Sequence, residues 1–243
     1  MLYKIFIFLG WIRLIKGLLL IGFILCLSSG LPVHANSIVW TEKKLGKIIL
    51  KADKAARQKK WSDAIKYGEQ ALLGSKELDQ QGPYINALKN LNLYYDKADR
   101  LQEITPRIEK TYLLSKEHFG QKHNTTSISR QLYYKLLIAN KNHEQAIPLV
   151  LEDISQLEGN REDEFKRLHY LEQLYALYGI TYKLEAQEKA ILEYLKLSEQ
   201  LLGGPDEHNI DMIEALAKNY CRQKKLDKFN ELKSKYQLYL LCK

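Results

Sequence analysis

The sequence has little of what interrupts or cross-links a chain: five prolines, thirteen glycines and three cysteines in 243 residues. So little proline and glycine excludes a low-complexity polymer. Two cysteines, Cys221 and Cys242, lie beyond the first 35 residues, too few for a disulfide framework. No stretch alternates β-branched and polar residues, which leaves strands without a signal. Signatures of catalysis are missing too: there is no G-x-S-x-G elbow, phosphate-binding G-x-x-x-x-G-K-S/T loop, H-E-x-x-H helix or zinc-ligand spacing. His118 and His123, five apart across a helix end, are not a helical metal pair, and His143 falls on a packing position. The chain is expected to be noncatalytic, with no cofactor and no metal.

Acidic residues are absent from the first 35 positions. There Lys4, Arg13 and Lys16 precede or border the uncharged run GLLLIGFILCL (Gly17–Leu27), and SSGLPVHA follows. A basic region, a short apolar region and small residues at Val33 and Ala35 make a secretory signal cleaved before Asn36. The alternative is an uncleaved anchor over residues 5–27, which would carry Arg13 and Lys16 into the bilayer. Bulky Leu25 ahead of Cys26 argues against lipid modification. The protein is therefore expected to be periplasmic or secreted, or else membrane-anchored, with residues 36–44 as a linker and residues 45–243 as the folded domain.

Charge is unevenly placed as well. From Glu42 to Lys66 nine basic residues face three acidic ones, whereas the rest of the chain after residue 35 is nearly neutral. Positive charge just after an apolar segment resists translocation, which counts against export. The patch fits an acidic partner or anionic lipid headgroups, and not nucleic acid, which an exported protein seldom meets.

From Trp40 onward apolar residues recur at spacings of three and four, the mark of an all-α protein. Glycines punctuate it at Gly74, Gly120, Gly159 and Gly203. A second series is more regular: Ala64, Ile104, Ala146, Gln187 and Phe229 are 40, 42, 41 and 42 residues apart. Three positions before each stands Trp61, Leu101, His143, Leu184 or Leu226, and the helix before it closes on Ala55, Tyr95, Leu137, Tyr178 or Tyr220. A lone helical hairpin cannot bury its apolar stripe, so such a period implies stacked hairpins sharing one core. Local signals agree: Pro83 suits a first helical turn, NHEQ (Asn142–Gln145) reads as a capping box, Thr125 or Thr126 as a cap, and the acids of REDEF (Arg161–Phe165) suit a helix start.

The stretch IEALAKNYCRQKKLDKFNELKSKY (Ile213–Tyr236) resembles a tetratricopeptide repeat (TPR), and LLGGPDEHNIDMIEALAKNY and HFGQKHNTTSISRQLYYKLL resemble the roughly 42-residue repeats of kinesin light chains. The resemblance spans Leu45 to Leu241 and implies an α-solenoid of about five helix pairs, departing from the small-residue rule at Ile104, Gln187 and Phe229. It also implies a concave groove lined by the first helix of each pair, placing there Asn86, Lys89, Leu93, Gln131, Lys135, His169, Glu172, Gln173, Lys218 and Arg222. The lysine-then-asparagine clamp for a terminal carboxylate, seen in some members, looks absent, because Leu93 follows Lys89 by one turn. The implied function is that of an exported scaffold or adaptor binding a protein or peptide, in assembly or trafficking of an envelope or secreted system; the alternative is a secreted effector or membrane-tethered signalling adaptor. With Cys242 at the far end of a final helix reaching Leu241, about 24 Å from the turn near Cys221, the two cysteines are not expected to pair.

Overall fold

In the computed structural model, which describes residues 39–203 and 207–242, ten α-helices follow one another and no strand occurs among the described residues. They are α1 (Glu42–Arg57), α2 (Trp61–Glu77), α3 (Gln81–Lys97), α4 (Thr105–Phe119), α5 (Asn124–Ala139), α6 (His143–Ser155), α7 (Arg161–Ile180), α8 (Leu184–Ser198), α9 (Glu207–Arg222) and α10 (Leu226–Lys235). A 3-10 turn, Leu101–Ile104, leads into α4, and a π turn, Glu199–Gly203, extends α8. The leader assigned to residues 1–35 lies outside the described residues. None of the described helices is long and apolar enough to cross a membrane.

Helix starts follow local chemistry. Thr41 caps α1, its hydroxyl accepting from the Lys44 N–H at 3.2 Å, so the helix begins at Glu42. Asn160 caps α7 by accepting from the Asp163 N–H at 2.9 Å, while the Asp163 carboxylate accepts from the Asn160 amide and the Glu158 N–H. The acid of REDEF is thus a helix-start device. Two expected caps differ. Asn142 makes no side-chain capping bond, its carbonyl instead taking the Gln145 N–H. At α5 the cap is His123, whose Nδ1 accepts from the Thr125 N–H at 3.2 Å, leaving Thr126 to donate to the Gly120 carbonyl at 2.8 Å.

The turn inside each pair explains the 41-residue rhythm. Lys59, Asp99, Lys141, Tyr182 and Lys224 have φ of 56°, 58°, 59°, 58° and 60°, each five residues before a member of the series Ala64 to Phe229. One residue later the N–H groups of Lys60, Arg100, Asn142, Lys183 and Lys225 donate to the carbonyls of Ala55, Tyr95, Leu137, Tyr178 and Tyr220 at 2.8–2.9 Å. This is the six-to-one bond of a Schellman motif, repeated five times. The residues that close the first helices in the sequence are the acceptors of that bond. All five left-handed positions hold side chains where glycine is the easier choice.

The series itself is buried throughout: Ala64, Ile104, Ala146, Gln187 and Phe229 are at most 7% exposed. Gln187 departs from the small-residue rule because its neighbour gives way instead. A Cβ on Gly179 would stand 2.4 Å from the Gln187 amide nitrogen. In that space Gln187 donates to the Tyr175 carbonyl at 3.1 Å and accepts from the buried Asn219 amide at 2.8 Å. Four apolar clusters run along the array, centred on Ala52, Ala64 and Leu91; Leu101, Ile108 and Leu136; Val150, Leu171 and Ala190; and Ile213, Ala217 and Phe229. Between them Arg130, 2% exposed, ties α5 to α6 through Asp153 and Glu152. Glu152 also accepts from Lys116 and from the Tyr112 hydroxyl of α4, both at 2.7 Å. Burial pushes Glu152 upward, but these hydrogen bonds and the Arg130 charge outweigh it and hold the carboxyl below its ordinary range.

Of the four punctuating glycines, Gly74 is buried inside α2, where a Cβ would come within 2.5 Å of the Trp40 indole. It lets the segment before α1 pack on α2, and α2 ends at the left-handed Asp79. Gly120 and Gly203 do take positive φ at helix ends, and Gly159 takes it in the α6–α7 loop, three residues past the Gln156 cap. The cysteines, expected apart, are bonded: Cys221 and Cys242 form a disulfide with Cα atoms 5.4 Å apart. The expectation assumed a last helix reaching Leu241, but α10 stops at Lys235. Gln237, at φ 51°, turns the chain back, and Leu238 is buried against the α9–α10 cluster.

Candidate partner-binding face

Side-chain bonds join the first helices α1, α3 and α5 to one another, and α7 to α9. Tyr94 of α3 donates to Asp53 of α1 at 3.0 Å, and Thr125 of α5 donates to the Asn86 side-chain oxygen of α3 at 2.8 Å. Lys135 of α5 reaches Asp96 of α3 at 2.6 Å, and Arg222 of α9 donates to the Gly179 carbonyl of α7 at 3.4 Å. Each bond joins residues about one repeat apart, so the exposed remainder of these helices forms a surface whose spacing is set by the repeat.

The ten residues assigned to a groove distribute over this surface unequally. Asn86 and Lys89 lie on α3, both half-buried, and Gln131 and Lys135 on the neighbouring α5, both exposed. Lys89 donates to the Asn90 side-chain oxygen at 2.6 Å. Burial holds its ammonium below the ordinary lysine range, with Asp53 partly compensating. A half-desolvated cation is where an incoming acceptor gains most. On α7 His169, Glu172 and Gln173 form a local group, the His169 Nε2 and Gln173 Nε2 lying 2.8 Å apart and the Glu172 carboxylate 3.9 Å from the other ring nitrogen. Lys218 pairs with Glu214 on its own helix at 3.0 Å. Arg222 stacks on the Tyr182 ring with its guanidinium carbon 5.1 Å from the centroid, serving the neighbouring turn. Leu93 packs against the cluster of Leu101, Ile104 and Leu132.

One feature of this face was not anticipated from the residue pattern. A cleft of about 180 Å3 lies between α1 and α3, walled by Ile49, Ala52, Pro83 and Ala87 and edged by Asp53, Asn86, Asn90 and Tyr94. Its floor is Gly68 and Ala71 of α2. The repeat register explains why it occurs here. The positions corresponding to Gly68 and Ala71 are filled by Ile108 and Thr111, by Val150 and Asp153, and by Ile191 and Tyr194 in the next three pairs. The first pair lacks that bulk, so space remains between its first helix and the next. A comparison of aligned repeats, and not any motif, carries this signal in the sequence. Asp53 and burial together push the Tyr94 hydroxyl well above the ordinary tyrosine range, burial being the larger cause, so it stays a neutral donor to Asp53.

No protein-family model and no curated protein sequence matches the chain. Solved structures do. A structure of kinesin light chain nearly identical TPR-like repeats from Podosopora anserina is similar with a TM-score of 0.55 at 14% identity, covering 78% of this chain and 91% of the other. A point variant of the same protein gives 0.53 at 14% identity, covering 80% and 96%. BtubC (BKLC) from P. vanneervenii gives 0.51 at 14% identity, covering 81% and 82%. Together with the five repeated turns, these likenesses establish the fold as a TPR-like α-solenoid.

Proposed function

We propose that this chain is an exported, noncatalytic scaffold that holds a protein or peptide partner along the first-helix face, in the assembly or trafficking of an envelope or secreted system. The observation that carries the reading is the α1–α3–α5 surface. It combines an apolar cleft of about 180 Å3 with half-buried amides at Asn86 and Asn90 and the poorly solvated Lys89. Such a mixture of one pocket and spaced polar groups suits an extended or helical peptide: the pocket selects a side chain, and the amides and lysines bind main-chain or acidic groups. Export is supported by the Cys221–Cys242 bond, since disulfides persist in oxidising compartments, and by the signal-like leader.

The test is affinity capture from the native cell with the wild-type chain and two variants: Lys89→Glu/Lys135→Glu, and Ala71→Leu, which fills the cleft. Loss of one and the same captured protein with both variants, each folded by circular dichroism, is the expected result. Undiminished capture by both removes the face from consideration. Fractionation addresses export separately: a cytoplasmic chain with residues 1–35 intact contradicts it.

A further inference from the structure

We propose that the outward face of α1, carrying Lys43, Lys47, Leu50, Lys54 and Arg57, docks on an anionic lipid surface. The inference is independent of the partner face described above. These five residues are spaced i, i+4, i+7, i+11 and i+14, which places them on one side of the helix over about 21 Å. All five are exposed, Leu50 at 66%.

What distinguishes this face is how its counter-charges are used. The only acids on α1 are Glu42 and Asp53, and both are engaged outside it: Glu42 accepts from the amide of Gln80, in the turn before α3, at 2.9 Å and Asp53 from the Tyr94 hydroxyl at 3.0 Å. Among the described residues no ion pair involves Lys43, Lys47, Lys54 or Arg57. Elsewhere in the array some exposed lysines are matched, as Lys166 is with Glu162, Lys183 with Glu144 and Lys228 with Glu188, and others, such as Lys110 and Lys189, are not; on α1 four unmatched cations share one face. α1 therefore presents cations whose field is not cancelled locally.

The chemistry favours lipid over an acidic protein. Three of the four cations are lysines, point charges on flexible stems and not the planar forks that read carboxylates in pairs. The stems flank an exposed leucine, so apolar area and charge point the same way, as in a helix lying in a membrane interface. The sequence also places the apolar run Gly17–Leu27 upstream, with residues 28–41 between it and α1.

The experiment uses residues 36–243, the chain expected after signal cleavage, which hold every described helix and all four apolar clusters. Co-sedimentation is measured with vesicles of phosphatidylcholine alone and of phosphatidylcholine mixed equally with phosphatidylglycerol, at low and high salt. Binding to the mixed vesicles only, lost at high salt, is expected. Lys47→Gln/Lys54→Gln lowers the partition coefficient about 25-fold, roughly fivefold for each cation. Leu50→Ser lowers it several-fold, and Lys110→Gln/Lys189→Gln, on other helices, leaves it unchanged. Equal partitioning onto pure phosphatidylcholine, equal loss with both lysine pairs, or retention on a polyglutamate resin without vesicle binding would each overturn the proposal. The last of these outcomes would assign the face to an acidic protein.

Discussion

Replacing Lys141 by glycine is expected to stabilise the protein, although glycine ordinarily weakens a helical chain. Lys141 sits in the turn between α5 and α6 at φ 59°, with its N–H donating to the Ile138 carbonyl at 3.0 Å and the next N–H to Leu137 at 2.8 Å. A side chain in this left-handed conformation costs about 1–2 kcal/mol. Glycine removes that cost but gives back about 0.5–1 kcal/mol through the greater freedom of the unfolded chain. The Lys141 side chain is exposed and holds no ion pair among the described residues, so nothing else is lost. The net gain is about 0.5–1 kcal/mol. Gln131→Gly, ten residues earlier on the exposed side of α5, is the control and should lose about 1 kcal/mol. Urea unfolding reads both, as midpoint shifts of opposite sign with unchanged slope. Lys59→Gly and Lys224→Gly, at the same place in the first and last pairs, should add to the gain because the sites are far apart. A midpoint that falls for Lys141→Gly as it does for Gln131→Gly would refute the turn assignment, and with it the explanation of the repeat spacing.

Cys242→Ser should destabilise the last pair and little else. The bond closes a loop between residues 21 apart, worth about 3 kcal/mol by chain entropy. Repeats couple only to their neighbours, so amide exchange should accelerate in α9 and α10 and not in α1 to α4; uniform acceleration contradicts this. Gly179→Ala should cost about 1–3 kcal/mol by expelling the Gln187 amide from its partners, Tyr175 and Asn219. Adding Gln187→Ala should recover part of that loss, and strict additivity in a double-mutant cycle would show that the two residues do not share the space.

How much of this was legible depends on the range over which each feature is decided. The helix pairs were readable because a three-to-four spacing is a property of a dozen neighbouring residues. The series Ala64 to Phe229 was readable because each member follows a turn by five residues, and both are set within one hairpin. Caps fared less well. Asn142 has the right neighbours for a capping box, yet the Schellman turn just before it places its own N–H on Leu137 and sets its backbone. His123, which no capping rule singles out, takes the role at α5 while stacking on Phe119 with ring centroids 4.4 Å apart.

For the partner face, the resemblance to tetratricopeptide repeats placed Asn86, Lys89, Gln131 and Lys135 on adjoining helices but left out Asn90, Asp53 and the cleft floor. Gly68 and Ala71 look like ordinary small residues until the side chains occupying the same position in other pairs are set beside them. Arg130 was silent in the sequence for a related reason. An arginine on a helix is ordinarily solvated, and only the approach of Asp153 and Glu152 from α6 makes it a buried tie.

By itself, the sequence determined a chain of helical hairpins, their number, their period and the cationic bias of the first one, because periodicity, turn chemistry and charge counts are local quantities. The tertiary structure alone decided which of those charges are matched, why Gln187 and Gly74 stand where a simple repeat rule would not put them, where space is left open, and that Cys221 meets Cys242. Each of these depends on side chains brought together from different helices, or on one residue, Gln237, reversing the chain after a helix that ends early. Contacts of that kind are settled by packing, which a single strand of sequence does not display.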